Sequence, residues 1–259
     1  MSLRLKDHVA LITGASRGIG RASAIALAAE GAKIVGVART KAELDTLVAQ
    51  ITSTGGAAIA VVADVTKSAD VARSVKEAVD AFGSVDILVN NVGMGGYRPF
   101  LEWSEEDYDR IMATNAKSSW LYAREIIPVM RKNGAAGGQI INVSSVAGLQ
   151  AYPNEIIYCM SKAAQQALTQ GLDREFFREN IKLLPLCFQL SFHMNAHHFN
   201  RKTGAPPFAR AVLRLTLPLA MDAARAVQPC KVISRRNGTC GAQPSQSLVN
   251  RLFHCRGCC

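Results

Sequence analysis

Acidic residues almost vanish from the last 77 positions of this 259-residue chain, where ten Lys or Arg stand against a single acid, Asp222. The same stretch has no Trp and no Tyr, yet it holds six of the seven cysteines and six of the nine prolines. Ordinary folded domains carry both charge signs in comparable number, so this composition sets residues 183–259 apart. Cysteine is in turn nearly missing from residues 1–182, where Cys159 stands alone, and a disulfide scaffold is excluded there. No run approaches the roughly 20 apolar residues that span a bilayer, and the apolar run of the opening MSLRLKDHVALITG is too short for a secretory leader. A cytoplasmic, reducing setting is expected. Internal repeats and Gly/Ser linkers are also missing from residues 1–182, which read as one domain.

The net charge of +10 would ordinarily point to an acidic partner. Residues 1–182 hold 20 basic and 19 acidic side chains, so nearly all of the excess lies in the basic tail. That tail does not interleave aromatics with basic residues as a base-stacking platform would, and no specific nucleic-acid partner is expected.

Within residues 1–182, β-rich runs alternate with helical patterns. Strands are predicted at 8–13, 33–38, 57–63, 86–90 and 139–144, and helices near 18–30, 41–52, 68–82, 104–132 and 157–179. Ser104 followed by Glu105, Glu106 and Asp107 is a helix start, with a capping hydroxyl and acids in the first turn. Regular alternation predicts an α/β fold: a doubly wound, Rossmann-like parallel sheet with helices on both faces.

After the first strand comes TGASRGIG, with Gly14, Gly18 and Gly20, leading into the first helix. Glycines there allow a tight turn and let backbone N–H groups approach a phosphate at a helix N-terminus. No Gly-Lys-Ser/Thr follows, so the turn is a dinucleotide site and not a triphosphate loop. At the end of the second strand, Arg39 stands where an acid would bind the ribose hydroxyls of NAD. Arg17 lies within the turn, and two guanidiniums suit the 2′-phosphate of NADP(H) in preference to NAD(H).

Tyr158 and Lys162, in YCMSK, are four residues apart on a predicted helix and share a face. A nearby ammonium would stabilise the phenolate and lower the phenol's pKa, letting Tyr158 exchange a proton with a carbonyl oxygen. Such a pair alone is common on surfaces. Here Ser145 follows the fifth strand, and Asn90, Asn91 and Gly93 follow the fourth, at the sheet edge where open α/β folds bind ligands.

TGASRGIG, Asp64-Val65, NNVG, Asn115, Ser145 and YCMSK together resemble the short-chain dehydrogenase/reductase family over about residues 5–182. Within it, the chain is similar to 3-oxoacyl-acyl-carrier-protein reductases and related carbonyl reductases. The resemblance implies that Tyr158 is the general acid in reduction and the base in oxidation. Lys162 would lower its pKa and bind the nicotinamide ribose, Ser145 rather than Ser144 would hold the substrate oxygen, and Asn115 would relay protons through water. Gly14, Ser16, Arg17, Gly18, Ile19, Gly20 and Arg39 would line the cofactor. Asp64 and Val65 would lie near its adenine, with Asn91 and Gly93 along its path. The substrate would be a small carbonyl compound or alcohol, a class that includes carrier-linked acyl groups. Members often form tetramers through the helices matching 104–132 and 157–179 and through a final strand, which has no counterpart here.

The resemblance stops after ENIK, where a sixth strand, a Pro-Gly turn and a Thr would hold the nicotinamide carboxamide. The chain reads LLPLCFQLSF instead, with Pro185 followed by Leu186, and loss of the sixth and seventh strands is expected. The abrupt change in composition implies a shifted reading frame or an alternative exon for residues 183–259. HCRGCC, with too few ligands, and the cluster His193, His197 and His198, without nearby acids, are not expected to bind metal. Three functions follow: an active NADPH-dependent oxidoreductase, a dinucleotide-binding protein impaired in catalysis, or a basic-tail protein binding nucleic acid or membrane.

Overall fold

The computed structural model describes residues 3–187. Six strands form one fully parallel sheet in the order β3-β2-β1-β4-β5-β6. They are β1 (Val9–Thr13), β2 (Lys33–Ala38), β3 (Ala58–Val62), β4 (Ile87–Asn90), β5 (Gly138–Val143) and β6 (Ile181–Leu186). The helices are α1 (Gly18–Ala29), α2 (Lys41–Thr52), α3 (Ser68–Phe82), α4 (Glu105–Met112), α5 (Ser118–Arg131) and α6 (Ile156–Phe176).

The sheet is buried on both faces because alternate residues of each strand point to opposite sides. Val9 and Leu11 of β1 join Val35, Leu88 and Ile140 in a core completed by Val71 and Val75 of α3 and by Tyr122, Ile126 and Met130 of α5. Ala10 and Ile12 join Ile34, Val89 and Ile141 on the other face, under Ala24 and Leu27 of α1 and Leu44 and Leu47 of α2. Strand order reverses between β1 and β4, and a crevice opens at the carboxyl ends of these two strands.

Local chemistry sets most of the boundaries. Ser104 Oγ accepts the Asp107 N–H at 3.2 Å, capping α4 beside three first-turn acids. α3 stops at Gly83, whose left-handed φ of 85° lets its N–H reach the Val79 carbonyl.

Two expectations are corrected. The predicted helix over 104–132 is split by a π-helical turn at Ala113–Lys117 that contains Asn115. The Asn115 carbonyl in this wider turn accepts from Ser119 Oγ at 3.2 Å and Gln165 Nε2 at 3.4 Å. The sixth strand is present: Ile181–Leu186 pairs with Gly138–Val143 in unbroken parallel register. Among the described strands it is an edge, so Pro185 can sit within it without a missing N–H breaking a second ladder. The seventh strand, residues 188–259 of the altered-frame tail, HCRGCC and the three histidines lie outside the described residues. No described helix is long and apolar enough to cross a membrane.

Candidate active site

The glycine-rich turn is built by close backbone approach. A Cβ on Gly20 would lie 2.3 Å from the Gly14 carbonyl oxygen and 2.6 Å from Asn91 Nδ2, so no side chain fits there. Gly14 and Gly18 have φ of 67° and 56°, which favours glycine at both. α1 then begins behind Arg17 with no side-chain cap on its first N–H groups and no acid in its first turn. Those amides and the helix dipole could hold an anion. Ser16 is half-buried in the turn and Ile19 packs against the core beneath it.

The loop after β4 braces this turn. Asn91 Nδ2 donates to the Thr13 carbonyl at 2.9 Å, and Thr13 Oγ1 accepts the N–H groups of Asn91 and Val92 at 2.9 and 3.2 Å. Asn91, expected along the cofactor, gives its amide nitrogen to the turn. Asn90 donates to Asn142, and Asn142 donates to Thr169 of α6, both at 2.8 Å. Gly93 and Gly95 then pass so close that an added Cβ would lie 3.4 Å from Lys162 Nζ and 3.3 Å from the Tyr158 ring.

Asn115 holds the end of that loop. Its Oδ1 accepts the Met94 N–H at 2.8 Å, while its Nδ2 donates to the Met94 carbonyl at 2.7 Å and to Ser161 Oγ at 2.8 Å. Ser161 Oγ in turn donates to the Tyr158 carbonyl. Lys162 Nζ donates to the Val143 carbonyl at 2.7 Å and to Gln165 Oε1 at 3.3 Å. Residues 158, 161, 162, 165, 166 and 169 are all polar and recur at three- and four-residue spacing, a polar stripe turned inward on α6. Thr13, Ser161 and Gln165 were not singled out from the sequence. The inward polar stripe is the signal that identifies the latter two.

Ser145 forms a side-chain hydrogen bond with Tyr158, whereas Ser144 Oγ is held against α6 by Gln166 at 3.2 Å. Lys162 is only 3% exposed, and burial pushes its pKa down to about 8 despite the Cys187 thiol nearby. Its ammonium lies over the Tyr158 ring, 5.9 Å from the centroid. Burial raises the phenol, the Ser145 hydrogen bond opposes it, and Glu155 and Cys159 raise it further.

At the outer end of the crevice, Arg17 and Arg39 are exposed, each adjoining a strand-to-helix turn. The Asp64 carboxyl is held below the usual range by the Thr66 N–H, with its hydroxyl and the charges of Arg39 and Lys67 adding to the effect. Val65 buries its side chain in the core, leaving its backbone as the group a ligand could meet.

A parallel sheet with a glycine turn at its switch point, beside a gathered Ser, Tyr, Lys and Asn, defines a dinucleotide-dependent enzyme site. Residues 8–188 match the short chain dehydrogenase family, and the chain belongs to that family of oxidoreductases. It is 39% identical over 185 residues to an uncharacterized oxidoreductase of Thermotoga maritima, covering 71% of this chain and 72% of the relative. It is also 39% identical to a sorbitol dehydrogenase of Cereibacter sphaeroides, covering 70% and 69% of the two chains. A 3-oxoacyl-[acyl-carrier-protein] reductase of Synechocystis is 38% identical, with 66% and 69% covered. Among solved structures, a metagenomic short-chain oxidoreductase in complex with NADP is similar at a TM-score of 0.73 and 29% identity, over 83% of this chain and 92% of that one.

Proposed function

We propose that this oxidoreductase interconverts a ketone and a secondary alcohol with NADP(H), Tyr158 exchanging the proton at the substrate oxygen. The observation that carries this reading is the Ser145–Tyr158 hydrogen bond, with buried Lys162 over the ring face and Asn115 one helix away. The residues fit a dinucleotide: the Gly14–Gly20 approach leaves no room for a side chain, and the α1 N-terminus offers uncapped amides. When bound, that cofactor supplies or takes up the hydride.

Tyr158 donates its proton to the carbonyl oxygen in reduction and accepts it in oxidation. Ser145 holds the same oxygen. Lys162, with a pKa brought near neutrality by burial, replaces the phenolic proton and faces the ribose side of the crevice. Asn115 fixes the loop carrying Gly93 and Gly95 against both residues. Arg17 and Arg39 favour NADP(H) over NAD(H) by offering two guanidiniums to a phosphate dianion, with Asp64 and the Val65 backbone toward the adenine. The substrate is a small carbonyl compound or alcohol, and carrier-linked acyl groups belong to that class.

The test is turnover of small ketones by the full chain with NADPH. Tyr158→Phe should lower kcat at least about 100-fold, the scale of a lost general acid, while leaving NADPH binding in place. Undiminished turnover by the variant would overturn the assignment. A second reading, dinucleotide binding with little turnover, is favoured by one feature: Pro185 lies inside β6 and is followed by Leu186 instead of Gly. NADPH binding without turnover of any ketone would select it.

A further inference from the structure

The proposed reaction leaves one polar group beside Lys162 without a task. The Gln165 amide is fully buried on α6, one turn after Lys162. Taking an amide out of water costs free energy that an apolar side chain of similar size avoids, so its hydrogen bonds show what it is there to hold.

Three partners fix its orientation. Gln165 Nε2 donates to Ser119 Oγ at 2.8 Å and to the Asn115 carbonyl at 3.4 Å. Ser119 spends its own hydroxyl proton on that same carbonyl, which leaves its oxygen to accept. Because both neighbours on this side accept, the amide nitrogen must face them. Oε1 then faces Lys162 Nζ, a group that only donates, at 3.3 Å. A flipped amide would lose all three bonds.

The same bond constrains Lys162. Its shorter donation, 2.7 Å to the Val143 carbonyl, anchors the ammonium at the end of β5. Gln165 supplies a second acceptor, and with two N–H groups fixed, tetrahedral geometry leaves the third a single direction. The amide also joins Lys162 to the π turn, where the Asn115 side chain holds the loop at Met94. Among the described residues, the titratable groups facing Lys162 are Tyr158, under its ammonium, and Cys187, whose thiol accepts from Gln166 at 2.8 Å.

We propose that Gln165 is a positioning residue that fixes the direction of the Lys162 ammonium beside Tyr158 and couples it to the turn carrying Asn115. It acts through Lys162 alone. Its effect on turnover rests on the carbonyl-reduction reading, whereas its hold on Lys162 does not.

NMR of the full chain, with lysine labelled at the ε carbon, follows the titration of Lys162 directly; loss of one signal in Lys162→Met assigns it. Gln165→Met keeps the length and removes the acceptor, so the charged lysine loses a partner. Its midpoint should fall by about one pH unit, the low end for a hydrogen bond to a charged group because this bond is long. Gln165→Glu places a carboxylate there and should raise the midpoint. A packing role alone predicts a different pattern, since water entering a loosened core would relieve the burial of Lys162 and raise the midpoint in both variants. In ketone reduction with NADPH, Gln165→Met should lower kcat about 10-fold, the same bond read as a rate. The alkaline limb of its pH profile should move down, and that of Gln165→Glu up. Circular dichroism checks folding. Should Gln165→Met not fold, Ser119→Ala, which removes the 2.8 Å acceptor orienting the amide, should lower the midpoint by a smaller amount. If the wild type reduces no ketone, the catalytic reading fails, yet opposite movements of the Lys162 midpoint in the two variants still sustain the positioning role. A midpoint unmoved in Gln165→Met (or in Ser119→Ala in its place), or raised in both Gln165 variants, overturns it.

Discussion

Replacing Lys162 with Met should make the folded chain more stable near neutral pH while removing its activity. The ammonium is 3% exposed, and its pKa falls from 10.5 to about 8 because burial disfavours the charge. At 1.36 kcal/mol per unit, holding that proton in the folded state costs about 3 kcal/mol. The sign follows from the two protonation curves. Above about pH 10.5 the lysine is neutral in both states and no penalty operates. As the pH falls from 10.5 toward 8, the unfolded chain takes up a proton that the folded chain refuses, and stability declines. Below 8 both states are protonated and the loss is constant. Met has a similar length and never titrates. It also forfeits the donation to the Val143 carbonyl, a pH-independent cost of about 1–3 kcal/mol. The informative quantity is therefore a double difference. Urea unfolding of both proteins at pH 7 and pH 10.5, read by circular dichroism, should show Lys162→Met about 3 kcal/mol more favourable at the lower pH. Tyrosines titrate in both proteins and cancel. An effect of Lys162→Met that is the same at both pH values would refute the reasoning.

Gly20→Ala should abolish NADPH binding and lower the Tm, because its Cβ would meet the Gly14 carbonyl at 2.3 Å; calorimetric titration and a thermal melt check both. Arg39→Ala should reduce the preference for NADPH over NADH by about 10-fold, the scale of one charge-assisted hydrogen bond, as read from kcat/KM with each cofactor. Tyr122 is fully buried, with its phenol pushed up to about 12 and bonded to Ser74 at 3.0 Å. Because Ser74 Oγ also donates to the Val71 carbonyl, Tyr122→Phe should cost only about 1 kcal/mol in urea unfolding.

The architecture was legible because short apolar strands and amphipathic helices alternate, and two helices, Lys41–Thr52 and Ser68–Phe82, lie where spacing placed them. Two elements were not. The π turn at Ala113–Lys117 has no local breaker, and what accompanies it is the contact of Asn115 with Met94 and Ser161, residues distant in sequence. IKLLPL was not read as a strand because no Pro-Gly turn follows it, yet it pairs along β5; it tolerates Pro185 because it is an edge of the described sheet, and an edge is a property of strand order. The electrostatics were harder still. Spacing alone put Lys162 on the same face as Tyr158, but its burial, which pushes its pKa down to about 8, and its donation to Val143 and Gln165 depend on the groups packed around it.

What the amino-acid sequence determined by itself was the family, the parallel α/β order and the identities of Ser145, Tyr158, Lys162, Asn115 and the glycine turn, because periodicity and short motifs are local properties. Only tertiary structure decided that Asn91 braces the turn and that burial governs the charges of Tyr158 and Lys162. Each of these depends on which groups the fold brings together and how completely it removes them from water, and neither is written in any one segment of the chain.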